Sequence, residues 1–220
     1  MTTMLSEQDL AAMAASLEQA TPEDIVGWAA ATFGDRLCLT TSLTDAVLVD
    51  LVARVAPGTE VIFLDTQYHF PETLDTLEVV RRRYPVKLNV RRPDVPRDDL
   101  WRTDTDACCA VRKVAQLDAA LAGKEAWLSG LRRDDSPDRA ATPIVERDRR
   151  GLVKVNPIAN WTDDDVALYI QLHDVPVNPL VARGYPSIGC WPCTQAVAEG
   201  ADKRSGRWAN STKTECGLHL

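Results

Sequence analysis

VIFLDTQYHFPETLDTLEVVRRRY, residues 61–84, decides the fold. Its opening run VIFLDT predicts a buried strand. Pro71 then suits the first turn of a helix, where its missing N–H removes no hydrogen bond, and the pattern continues helically to Tyr84. The same order stands upstream, where RLCLTT (36–41) predicts a strand and DAVLVDLVARV (45–55) carries apolar residues at helical spacing up to Pro57 and Gly58. Downstream, KLNVRR is a third strand, residues 107–121 (ACCAVRKVAQLDAAL) form a helix, and AWLSG (126–130) is a fourth strand ending in a glycine. Strands alternating with helices imply an α/β fold with a mostly parallel sheet flanked by helices.

Further on, ERDRRGLVKVNP reads as a hairpin, Thr162 caps a helix with acids in its first turn, and an irregular Pro/Gly-rich stretch follows. The N-terminal stretch carries acids among its alanines and reads as an amphipathic helix. It lacks the basic start and apolar core of a signal peptide. The chain is read as one domain over residues 1–220, with residues 200–220 as a mobile catalytic tail.

Composition narrows the function. A net charge of −7 argues against a nucleic-acid surface, and no stretch approaches the roughly 18 apolar residues of a membrane span. A cytoplasmic protein is expected, and a reducing compartment directs six cysteines toward metal binding or redox chemistry rather than disulfides.

In parallel sheets ligands bind beyond the carboxyl ends of the strands, so TTSLTD, LDTQYHF and SGLRRDDSPDRA should converge on one crevice. Ser42 and Asp65 are candidate contacts there. Arg132, Arg133, Arg139, Lys203, Arg204 and Arg207 are basic residues in an acidic chain, and guanidinium forks match phosphate and sulfate bidentately.

Cys108 and Cys109 are adjacent, and Cys190 and Cys193 follow after 80 intervening residues as CWPC. Four thiolates suit zinc or an iron-sulfur cluster. One small ion must draw both neighbours to a single point, whereas a cubane offers separate irons, which favours the cluster. A buried, inert cysteine pair, structural zinc and a thioredoxin-type dithiol at CWPC are the alternatives. Cys38 sits in an apolar strand and reads as core. Cys216 lies in KTECGLHL, where Lys213 and His219 favour the nucleophilic thiolate form.

The segments CCAVRK, CWPC, ECGLH, FLDTQYHFPET, GLRRDDSPDRA and KVNPIANWTDDDV together resemble the assimilatory adenylyl-sulfate reductases over residues 36–219. The resemblance implies a fold of the adenine-nucleotide alpha-hydrolase or PP-loop type that binds adenosine 5′-phosphosulfate. It implies that Cys216 attacks the substrate sulfur, expels AMP and becomes an S-sulfocysteine, from which thioredoxin releases sulfite. It implies a 4Fe-4S cluster on Cys108, Cys109, Cys190 and Cys193, with Lys113 near both cluster and substrate. Substrate contacts then fall to Ser42, Asp65, Lys113, Arg132, Arg133, Arg204, Arg207 and His219, and homo-oligomerisation is left open. The chain departs from the family at TTSLTDA: Ser42 matches, whereas Leu43 and Thr44 replace the aromatic residue and glycine usual after it. The loop also lacks the glycines and lysine of a Walker motif, which disfavours ATP hydrolysis. The alternatives are a reductase of the 3′-phosphorylated nucleotide or of both, a zinc-stabilised nucleotide-binding protein without catalysis, and a PP-loop enzyme acting on RNA.

Overall fold

The computed structural model describes residues 5–209 and 213–218. Among them, six strands form one sheet: β1 (Leu37–Thr41), β2 (Glu60–Leu64), β3 (Lys87–Arg91), β4 (Ala126–Leu128), β5 (Val145–Arg147) and β6 (Val153–Val155). The order is β3-β2-β1-β4-β6-β5, and only the β5–β6 hairpin pairs antiparallel. The chain therefore winds outward through β2 and β3, then returns to the other side of β1 with β4. That reversal opens a crevice at the carboxyl ends of β1 and β4, where such sheets bind ligands.

The central strands β1, β2 and β4 carry buried apolar runs because both faces of the sheet are covered there, whereas the edge strands β3 and β5 alternate with polar residues. Leu37, Leu39, Val61 and Phe63 face a core shared with α1 (Glu7–Leu17), α2 (Pro22–Phe33) and α3 (Val47–Val55). Their neighbours Cys38 and Ile62 point to the opposite face, where they pack with Leu117, Leu121 and Trp127. The period of two along each strand thus assigns Cys38 to the core, fully buried, as its sequence context predicts. Fully burying side chains of the size of Leu37 or Phe63 stabilises by about 1.5–3 kcal/mol each.

Helix starts follow capping chemistry. Ser6 opens α1 with a capping box completed by Asp9, and Thr162 does the same with Asp165 for α8 (Asp163–His173). Helix α2 was not expected, although Thr21 caps it on the Asp24 amide and Pro22 fills its first position. Helix α4 (Pro71–Arg83) matches its sequence expectation. The short α5 (Leu100–Thr103) interrupts the loop after β3. The expected helix over 107–121 is instead three segments: α6 (Thr105–Cys109), a wide π turn over Ala110–Val114, and α7 (Ala115–Ala120). Among the described residues, no helix is long and apolar enough to cross a membrane.

Candidate active site

A cleft of about 520 Å³ lies at the carboxyl ends of the sheet. The three convergent segments build its walls. Beyond β1, Ser42 stands exposed on the rim and Leu43 is buried with φ 60°, a left-handed conformation uncommon outside glycine. Asn178 holds this turn by donating from Nδ2 to the Leu43 carbonyl at 3.2 Å, while the Asn178 amide donates to the Thr44 carbonyl. The loop that departs from the family pattern is thus shaped by a partner distant in sequence. Burial pushes the Asp45 carboxyl up, against the pull of the hydrogen bond from the Val47 amide.

Beyond β2, Thr66 and His69 reach the cleft. The Thr66 hydroxyl lies 3.2 Å from Cys190 Sγ, and His69 Nε2 is 2.9 Å from the Leu64 carbonyl. Burial holds the His69 imidazole below its usual range, so its short contact to a carbonyl assigns Nε2–H as the donor. Asp65 is a correction to the sequence expectation. It is buried beneath the cleft, accepts from the Gln67 amide at 2.8 Å and from Arg92 Nε at 2.9 Å, and closes the turn after β2.

Beyond β4, Arg132 and Arg133 separate. Arg132 lines the cleft between Asp135 and Asp163, each at 2.9 Å. Arg133 turns away, pairs with Glu18 and donates to the Thr142 carbonyl at 2.8 Å. It therefore ties the end of α1 to the loop rather than lining the cleft, because the chain passes from extended backbone at Arg132 into a 3-10 turn over Arg133–Asp135, which turns the second side chain aside. Lys203, Arg204 and Arg207 line the far wall with Arg139. The Arg207 side chain lies along the backbone at Gly189, where a Cβ would meet its Nη2 at 2.3 Å, so any side chain at that position would displace the guanidinium.

The four cysteines converge. Cys108, Cys109, Cys190 and Cys193 line one small cleft with Thr66, Arg112 and Lys113. The first three are buried, and none of the six cysteines is joined in a disulfide. The π turn places Arg112 and Lys113 inward just after the cysteine pair, and such insertions are frequent at functional sites. Burial, reinforced by Cys109 and Cys190, pushes the Cys108 thiol up to about 11. Burial alone would lower the Lys113 ammonium, yet the sulfurs of Cys190, Cys216 and Cys109 outweigh it and raise it. Lys113 thus stands between the four-cysteine corner and Cys216, and it lines both clefts. No three Cys, His, Asp or Glu side chains among the described residues gather at the spacing of a single metal-ion site. Chemically, four thiols beside a buried arginine and lysine suit an anionic iron-sulfur group.

The tail closes the site. Cys216 and Leu218 line the cleft, and Leu218 packs against the cluster around Ile62 and Trp127. The expected contact from His219 lies outside the described residues. Thr66, His69, Asp45 and Glu215 line the cleft without having been singled out from sequence; Thr66 and His69 sit within the LDTQYHF segment expected there.

A parallel sheet reversing at β1, with a basic cleft at its carboxyl ends, defines an α/β nucleotide-binding protein. The phosphoadenosine phosphosulfate reductase domain model matches residues 36–196, and the chain belongs to that family. It is 50% identical to the adenosine 5′-phosphosulfate reductase of Streptomyces coelicolor, covering 92% of this chain and 90% of that one. It is 46% identical to the enzyme of the same name from Mycobacterium tuberculosis, covering 99% and 98%. In structure it is similar to phosphoadenylyl-sulfate reductase from Candida auris, with a TM-score of 0.79 and 30% identity over 90% of this chain and 100% of that one. A Candida glabrata FMN adenylyltransferase, at 12% identity, TM-score 0.60 and coverage of 89% and 70%, shares the fold alone.

Proposed function

We propose that the protein reduces adenosine 5′-phosphosulfate, the substrate in the names of its relatives, and that it does so in the cytoplasm with sulfite and AMP as products. The observation that carries this reading is Cys216 lining one cleft with Lys113, Arg132, Arg139, Arg204 and Arg207. A thiol, an ammonium and guanidiniums in one crevice suit nucleophilic attack on an oxyanion ester.

The Cys216 thiolate attacks the sulfo sulfur, and the bond from sulfur to the phosphate oxygen breaks with its electron pair leaving on AMP. Cys216 then carries an S-sulfo group. A thiolate of reduced thioredoxin attacks Cys216 Sγ, the sulfur-sulfur bond breaks and sulfite departs. The second thioredoxin thiol resolves the mixed disulfide and restores Cys216. Both electrons come from the donor dithiol. The arginines bind the phosphate and sulfate oxygens, Ser42 meets the nucleotide at the rim, and Lys113 offsets charge at the reacting oxyanion. Cys108, Cys109, Cys190 and Cys193 would hold a 4Fe-4S cluster, which would supply local negative charge beside the Lys113 ammonium.

Likeness to a phosphoadenylyl-sulfate reductase favours a second reading, in which the nucleotide is 3′-phosphorylated. Turnover of the two nucleotides with reduced thioredoxin decides between them. Equimolar sulfite and AMP, with higher kcat/KM for the unphosphorylated nucleotide, is the expected result. Preference for the 3′-phosphate moves the protein to the second reading, and turnover of neither nucleotide removes both.

A further inference from the structure

The residue preceding the nucleophile carries the tail's strongest charged anchor. Glu215 Oε1 accepts from Arg139 Nε at 2.8 Å and lies 2.7 Å from Arg139 Nη2. The same oxygen is 3.2 Å from Arg204 Nη2, which also donates to the Thr214 carbonyl at 2.8 Å. All three side chains are largely buried, at 13–14% exposure. Arg139 is gripped again by Asp135 at 3.0 Å from Nη1, so the guanidinium meeting Glu215 is itself fixed. Like charge makes the arrangement depend on Glu215. Burial and the neighbouring Arg139 hold the Arg204 guanidinium below its usual range, while Glu215 opposes them.

The tail has other anchors, but they stand further from Cys216. Lys213 donates to Asp106 at 2.5 Å, tying the tail to α6. Leu218 buries against the sheet. Between them Gly217 turns with φ 79°. Only Glu215 is both adjacent to Cys216 and bound to guanidiniums of the cleft wall, and adjacent Cα atoms are held about 3.8 Å apart.

We propose that Glu215 is a positioning residue that seats the nucleophile: its carboxylate, clasped by Arg139 and Arg204, locks the tail with Cys216 in the cleft. This rests on the reading of Cys216 as the nucleophile. The clasp also couples two parts of the site, since the guanidiniums that hold the tail line the wall where the nucleotide's oxyanions bind. A hydrogen-bonded buried charge is worth enough that its loss should loosen the tail about tenfold.

The test uses the full chain with Glu215→Gln and Glu215→Asp. Alkylation of Cys216 by iodoacetamide is followed by peptide mass without nucleotide, on the alkaline plateau of its pH profile, where differences in thiol acidity no longer enter. Glu215→Gln should react about tenfold faster than wild type, and Glu215→Asp, which keeps the charge, less than about threefold faster. With adenosine 5′-phosphosulfate, kcat of Glu215→Gln should fall about tenfold while KM moves less than about threefold, a split that a loss of fold would not give. Wild-type alkylation rates in Glu215→Gln would overturn the proposal. Should that variant not fold, an aspartate variant reacting as fast as the denatured chain would overturn it too, and one held near wild type would support it. If the wild-type protein forms no S-sulfo adduct, the functional reading fails, whereas the alkylation ratio still decides the clasp.

Discussion

The four-cysteine corner and the tail hold their sulfurs by different means. Cys108 and Cys109 sit on α6 just before a π turn, and Cys190 is fixed by backbone pairing to His69 and by the Thr66 hydroxyl. Main-chain hydrogen bonds from Trp191 to Tyr68 and from Trp208 to Cys193 complete that frame. Among the described residues, Cys216 is framed in this way by no backbone–backbone hydrogen bond. It rests in the cleft through side-chain clasps at Lys213 and Glu215 and the packing of Leu218. Backbone pairing holds the corner rigidly, whereas side-chain clasps can be released at modest cost, which suits the role proposed for Cys216, a thiol that meets first a nucleotide and then another protein.

The comparison breaks first at the corner. Cys108→Ser should lose iron from anaerobically purified protein and lower its melting point, because removing one thiolate exposes an edge of the cluster the corner would hold. Iron and absorbance are the readouts. Colourless wild-type protein holding stoichiometric zinc would instead convert the corner to a structural zinc site.

A smaller effect separates the two neighbouring arginines. Arg132→Ala should weaken AMP binding about tenfold, since it removes a guanidinium from the cleft. Arg133→Ala should leave AMP affinity within about twofold and cost at most about 1 kcal/mol of stability, as its partner Glu18 is partly exposed. Titration calorimetry and thermal melts measure both. Equal losses of affinity would return Arg133 to the site.

Sequence made the sheet legible because buried parallel strands and capped helices leave local signals, and β1, β2, β3, β4 and the hairpin fall where expected. Helix α2 carries such signals at Thr21 and Pro22, but without the clear apolar spacing of α3. The π turn after Cys109 left none, since its wide winding is set by what packs around it rather than by local propensity. Residue types in the convergent segments pointed to the cleft, but direction did not follow from type: Arg132 and Arg133 look alike in sequence, and only the path of the loop sends one to the cleft and the other to Glu18. Asp65 failed likewise, its carboxylate being taken by the Gln67 amide and Arg92. Glu215 was hidden because its partners lie 76 and 11 residues away, a separation no local pattern records.

The smallest effect concerns Cys38. Burial pushes its thiol up to about 12 from the usual 9.0, so it stays protonated through mildly alkaline pH. Only thiolate alkylates, and the rate should rise only as pH approaches that value. At pH 8, peptide mapping should find Cys216 modified and Cys38 unmodified while the protein stays folded.

The central claim is that the tail thiol does the chemistry while the corner prepares the site. Intact mass of reduced protein after incubation with adenosine 5′-phosphosulfate, without thioredoxin, tests it most directly. One sulfo adduct per chain on wild type, absent from Cys216→Ser, is the predicted result; an adduct that persists in Cys216→Ser would contradict it.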